Sequence, residues 1–230
     1  ALMAAAVATA AVTAAATALP SVLLAAQRRA ASAAAATTVE PAVRCTRILY
    51  GLWQTSGGWG TINADDAVAA MSRLVDSGAT TFDVADHYGP AEDLIGALTA
   101  RRGHARDFTA FTKWVPPPRA VSRADVTAAI ATSLRRMRTT SLDLLQFHWW
   151  DYGQRDAMVT ALRYLDDERV AGRIKQLALT NFDTANLAHI VDECGIPIAS
   201  NQVQMSVVDT RPLERMAPFC ATHGISLLAY

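Results

Sequence analysis

From Cys45 onward, short apolar runs alternate with longer segments in which apolar residues recur every three or four positions. The short runs cover residues 47–54, 80–85, 108–114, 142–148, 174–181, 199–205 and 225–230. They are bounded by turn residues and apolar on both faces, which predicts strands buried on both sides of a sheet. The segments between them carry helix signals. Asn63 caps a run with Ala67, Met71, Leu74 and Val75 on one face, closed by Gly78. Pro90 suits a first turn ahead of Leu94, Ile95 and Leu98, with Gly103 behind. Ser122 precedes Val126, Ile130, Leu134 and Met137 at helical spacing. Met158, Leu162 and Leu165 run toward Gly172; Asp183 caps Leu187, Ile190 and Val191 before Gly195; Leu213, Met216 and Cys220 lead to Gly224.

Strand then helix, repeated and finishing on a seventh strand, requires parallel pairing through right-handed crossovers. The fold class expected is therefore α/β, a (β/α)₈ TIM barrel without its eighth strand and C-terminal segment in this chain. A doubly wound open sheet is the alternative, and it calls for a glycine-rich phosphate loop after the first strand. Gly57-Gly58-Trp59-Gly60 stands there but lacks the G-x-G-x-x-G spacing.

Composition adds a boundary. Residues 1–44 are dominated by alanine, with Arg28, Arg29, Glu40 and Arg44 as their only charges. Such an arginine-bearing, acid-poor stretch reads as a removable leader, and an organellar transit peptide is expected, for a chloroplast ahead of a mitochondrion. A disordered low-complexity tail is compatible with that, and a secretory signal or anchor is the other option; Pro20 and the weak apolarity of alanine argue against a span. Residues 45–230 are left as one catalytic-size domain. Basic and acidic residues balance at 21 each, so no charge bias favours a nucleic-acid partner, and no membrane partner is expected. Cys45, Cys194 and Cys220 show no metal-ligand spacing and read as free thiols.

Barrel enzymes carry their chemistry at the C-terminal ends of strands. Here those ends hold Asp83 with Tyr88 just beyond, Lys113, His148, Thr180 and Asn181, then Gln202, and finally Tyr230. A charge inside an apolar strand is costly unless paired, so Asp83 and Lys113 on neighbouring strands are expected to meet. A buried pair that only fixes register would explain those two residues, but not Tyr88 and His148 beside them. The set suits proton delivery to an alkoxide. Tyr88 is the acid, Lys113 is expected to lower its pKa, Asp83 supports the lysine, and His148 orients and polarises a carbonyl oxygen.

These residues stand in blocks. Phe82-Asp83-Val84-Ala85-Asp86-His87-Tyr88-Gly89, with Glu92 and Gly96 following, resembles the second-strand signature of the aldo-keto reductases. Phe111-Thr112-Lys113, the run 142–148 ending in His148, and Leu179-Thr180-Asn181-Phe182 resemble the next blocks in order. Asn201-Gln202-Val203-Gln204 and Leu227-Leu228-Ala229-Tyr230 resemble the last two, so the likeness spans about residues 46–230. It implies reduction of an aldehyde or ketone by hydride transfer from NADP(H), with a small-molecule carbonyl compound as substrate. It also implies that Asn181 and Gln202, with Thr180 beside them, hold the nicotinamide carboxamide, that Tyr230 stacks on its ring, and that Trp53 faces the substrate. Trp149 and Trp150 are candidates for lining the same pocket. Thr180 departs from the serine common at its position, and the family's adenosine-phosphate grip lies past Tyr230, so NADP over NAD is an implication of family alone. Two other functions stay open: a regulatory subunit of this fold serving a channel, and a lyase using Lys113 as a Schiff base.

Overall fold

The computed structural model describes residues 43–103, 107–117 and 119–230. Most of the expected leader, residues 1–42, lies outside the described residues. Seven strands form one parallel sheet in sequence order: β1 (Tyr50–Gly51), β2 (Thr81–Asp83), β3 (Thr109–Trp114), β4 (Leu144–Phe147), β5 (Leu177–Thr180), β6 (Ser200–Val203) and β7 (Ser226–Ala229). All six neighbouring pairs are parallel. With a helix returning the chain between strands, this is an incomplete (β/α)₈ barrel. β1 and β7 are its two edges, and a cavity of about 800 Å³ opens along the seam between them.

The returning helices are α1 (Ala64–Asp76), α2 (Ala91–Arg102), α3 (Arg123–Arg136), α4 (Arg155–Val170), α5 (Thr184–Ala188) and α6 (Met216–His223). Their starts follow the expected chemistry. The side chains of Asn63, Ser122 and Asp183 each accept a backbone N–H of the first turn, satisfying donors that the helix itself leaves unpaired. At Ser122 the cap is reciprocal, because Asp125 accepts the Ser122 N–H in return. Pro90 sits one residue earlier than expected, at the cap rather than inside the first turn. Gly96 marks a close crossing of α2 over the end of α3: a Cβ there would stand 2.0 Å from the Arg136 carbonyl oxygen. Among the described residues no helix is long and apolar enough to cross a membrane.

Strand alternation divides the core in two. Phe82, Val84, Ala110, Leu145, Phe147, Leu177 and Leu179 face outward and pack against the helices. Phe111, Leu144, Ala178 and Leu228 face inward, where they form a smaller cluster with Val43. Val43 is 4% exposed, so the packed part of the chain includes at least this residue, two before the expected boundary at Cys45.

Three expectations need correcting. The first strand was expected over 47–54 but is only Tyr50–Gly51, and Trp53–Ser56 turn as a 3₁₀ helix instead. Leu213 lies in a separate 3₁₀ turn, Arg211–Leu213, and is more than half exposed rather than on the buried face of α6. The helix from Asp183 is α-helical only to Ala188, and His189–Glu193 then continue as a π-helical turn.

Candidate active site

The inward positions end in polar residues at the C-terminal side of the sheet. Alternation that turns Phe111 inward also turns Lys113 inward, and likewise Leu144 brings Gln146 and His148, Ala178 brings Thr180, and Leu228 brings Tyr230. They converge on a cavity of about 620 Å³ lined by Asp83, Tyr88, Lys113, His148, Thr180, Asn181, Gln202 and Tyr230 together with Gly51, Trp53, Gln54, His87 and Trp150.

Asp83 and Lys113 meet as expected. Lys113 is 2% exposed and its Nζ donates to Asp83 Oδ2 at 2.5 Å and to the Val84 carbonyl oxygen at 3.0 Å. The other Asp83 oxygen accepts from Gln146 Nε2 at 2.7 Å. Thr180 Oγ1 lies 3.4 Å from Gln146 Oε1 and donates to it. A chain of side chains thus runs across four strands, from β2 to β5. Burial pulls the Lys113 ammonium below its ordinary pKa, and the Asp83 charge opposes this.

Tyr88 is half-buried in the loop after β2, with its ring centroid 5.0 Å from Lys113 Nζ. The loop is pinned from below. Thr55 Oγ1 donates to the Tyr88 carbonyl at 2.9 Å, and a Cβ on Gly89 would stand 2.7 Å from the Thr55 carbonyl oxygen. Gly89 also has φ +54°, so only glycine fits here without strain. Behind the loop, Glu92 is 1% exposed, accepts from Thr112 Oγ1 at 2.7 Å and pairs with Arg136 at 3.2 Å, fastening α2 to β3 and α3. Trp53 and His87 meet the Tyr88 ring edge-on, with centroids at 4.9 and 4.8 Å.

The electrostatics differ from expectation at one point. Lys113 does not lower the Tyr88 phenol. Burial first, then the charges of Asp83, Tyr230 and Asp86, push it up to about 12. Tyr88 therefore holds its proton at neutral pH. His148 moves the other way, down to about 4, through burial first and the charges of His87 and Lys113 second. Its imidazole is neutral at pH 7 and serves as a hydrogen-bonding group, not a cation.

At the far side, Asn181 adopts φ +62°, a conformation that Asn tolerates better than most residues. Its Nδ2 lies 3.4 Å from His148 Nε2, and its Oδ1 accepts from Tyr230 Oη at 2.8 Å. Gln202 is 7% exposed and faces the cavity. Tyr230 is 59% exposed and lines the cavity.

One expected lining residue is elsewhere. Trp149 is 1% exposed, stacks on Phe147 with centroids 5.7 Å apart, and does not line the cavity. It shares strand parity with Leu145 and Phe147 and so faces the helices. Trp150 shares parity with Gln146 and His148, lies 4.3 Å from the His148 ring centroid to centroid, and lines the cavity instead. Gln146, which holds Asp83, is not among the residues expected at the site. A glutamine inside the otherwise apolar run of β4 is the signal that marks it.

Comparison with known proteins agrees with this architecture. The sequence model of the Aldo/keto reductase family matches residues 47–230. The chain is 30% identical over 170 residues to 2,5-diketo-D-gluconic acid reductase B of Corynebacterium sp. (strain SHS752001), covering 73% of this chain and 60% of that protein. The crystal structure of an aldo/keto reductase from Brucella melitensis superposes with a TM-score of 0.66 at 27% identity, over 79% of this chain and 66% of that one. A Bombyx mori aldo-keto reductase in complex with NADP shares the fold at 20% identity and a TM-score of 0.66, over 80% of this chain and 61% of that one. The chain thus spans about 60% of the length of the curated relative it matches. With the family match running from the first strand to the last, this chain belongs to the aldo/keto reductase family.

Proposed function

We propose that the protein reduces the carbonyl group of a small aldehyde or ketone to an alcohol, using NADP(H), with Tyr88 as the general acid. The meeting of Asp83, Lys113, Tyr88 and His148 in one cavity supports this most strongly. A dinucleotide supplies the hydride when bound. The residues at the ends of β5 to β7 suit its nicotinamide end: the Gln202 and Asn181 amides match a carboxamide group, with Thr180 beside them, and the exposed Tyr230 suits an aromatic ring.

The chain's own residues account for the remaining chemistry. The neutral His148 imidazole donates to the carbonyl oxygen and fixes its direction toward Tyr88. As negative charge grows on that oxygen, the phenol delivers its proton. The phenolate left behind faces Lys113, whose ammonium is 5.0 Å from the ring and stabilises the new charge. Lys113 thus acts on the deprotonated product of the step, although it does not lower the resting phenol. Asp83 and Gln146 hold the ammonium in place. Trp53 and Trp150 flank the opening and set the shape of the substrate that enters.

The Corynebacterium relative is named for reducing a diketo sugar acid, which puts small polyfunctional carbonyl compounds first among the candidates. The test is NADPH oxidation at 340 nm by the full-length protein against a panel of sugar-derived ketones, 2-oxoaldehydes and simple aldehydes. Turnover of at least one class is expected, and no turnover of any would overturn the proposal.

A further inference from the structure

The end of the sheet opposite the cavity carries a second group of reactive side chains. α5 does not finish as an α-helix. His189–Glu193 form a π-helical turn, closed by the Cys194 N–H donating to the His189 carbonyl five residues back at 3.0 Å. Five residues on an α-helix are separated by roughly 140° around the axis, which would hold residues 189 and 194 on different faces. The wider turn removes that separation. Cys194 Sγ lies 3.6 Å from His189 Nε2, and His189 Nδ1 lies 2.8 Å from Glu193 Oε2. Single π turns are uncommon, and they gather at functional sites.

The protons in this group can be assigned from bonding rules. An ionised carboxylate only accepts, so Nδ1 of His189 carries the hydrogen that Glu193 receives. In the neutral ring Nε2 then presents its lone pair, and the Cys194 thiol donates to it. This is the arrangement of a thiol with its base, oriented by a third group. The His189 side chain is 20% exposed and Cys194 is partly buried, so the group is sheltered but reachable. Asp192 and His223 of α6 pair with each other alongside at 3.0 Å. Among the described residues the other two thiols have no such base beside them. Desolvation raises Cys45, and it pushes the buried Cys220 up to about 11.

We propose that Cys194, His189 and Glu193 form a modification site separate from the reductase cavity, a nucleophilic thiol that adds to soft carbon electrophiles of the α,β-unsaturated carbonyl class. His189 Nε2 takes the thiol proton as Sγ forms a C–S bond to the β-carbon of the electrophile. The carbon–carbon π bond breaks, and its electron pair becomes an enolate. The proton held on His189 then passes to the α-carbon, giving a thioether with no change in net oxidation state. The site does not depend on the hydride chemistry.

The test uses N-ethylmaleimide in less than stoichiometric amount on the folded full-length protein near pH 7, with brief exposure and peptide mass mapping of all three cysteines. Cys194 should be alkylated at least ~10-fold faster than Cys45 although Cys45 is the more exposed, a conservative fraction of the ~10²-fold help a positioned base gives. His189→Ala should remove most of that advantage and leave the Cys45 rate unchanged. Glu193→Ala, at a side chain 71% exposed and thus safe for folding, should slow Cys194 a few-fold by releasing the ring. Labelling of Cys45 ahead of Cys194, or a Cys194 rate unmoved by both substitutions, would overturn the proposal.

Discussion

Lys113→Met isolates the interaction on which the site is built. Methionine matches the lysine stem in length and fills the same space, so little cavity is created. What is lost is the ammonium, and with it the bonds to Asp83 Oδ2 and to the Val84 carbonyl. Among the described residues Asp83 is left with Gln146 as its one remaining side-chain donor, at 2.7 Å. The side chains of the pair are 2% and 12% exposed, so water does not replace the missing partner. Removing one member of a buried pair costs about 3–5 kcal/mol, most of it the penalty of an uncompensated charge. For a domain of this size each kcal/mol moves Tm by roughly 2–4 °C, so a fall of about 6–20 °C is expected. Thermal unfolding followed by near-ultraviolet circular dichroism measures it, and NADPH oxidation on the same samples should be lost as well. Replacing both charges, Asp83→Leu with Lys113→Met, should recover part of the stability but none of the activity, which separates the cost of an orphaned charge from the loss of chemistry. A Tm within about 2 °C of the parent for the single variant would refute the reasoning, because it would mean that the pair is solvated or unformed.

His148 should titrate near pH 4, and an NMR titration of its ring protons reads this directly; an inflection near the ordinary value of about 6.5 would contradict its burial. Since its folded pKa lies below the unfolded one, its contribution to stability is complete above about pH 6.5 and is lost as pH falls toward 4. The polypeptide 43–230 on its own leaves the edges of β1 and β7 unpaired, so it should aggregate or unfold without a sharp transition and bind NADPH weakly; a cooperative melt with micromolar binding would count against this. For the residues before Val43 we propose a transit peptide, and a fluorescent reporter carrying residues 1–42 behind an initiating methionine should enter a plastid or mitochondrion; a diffuse cytosolic signal would reject it.

The order of strands and helices was legible because each signal was local and physical. Asn63, Ser122 and Asp183 accept backbone N–H groups at the starts of three of the six helices, and the buried parallel strands had to be apolar on both faces. The site was legible for a related reason: charges within apolar strands demand partners, and Asp83 and Lys113 stand at the C-terminal ends of adjacent strands. Some features were hidden by the lack of any periodic mark. The run from Ile48 to Trp53 is apolar throughout, so nothing in it shows that β1 stops at Gly51 and turns. An inserted π turn at His189 has no sequence signature that an α-helix lacks. Proximity to an ammonium does not by itself lower the Tyr88 phenol, because burial and the Asp83 carboxylate act against it. Trp149 was readable and missed: strand parity alone places it with Leu145 and Phe147 on the outer face, and Trp150 with His148.

The most direct test of the central claim is Tyr88→Phe in the full-length protein. The substitution keeps the ring against Trp53 and His87 and removes only the hydroxyl. Single-turnover NADPH oxidation with an accepted carbonyl substrate should fall by roughly 10²-fold or more, while NADPH binding, followed by fluorescence, stays within about twofold. Turnover preserved in the folded variant would contradict the account, since the proton would then come from somewhere other than Tyr88.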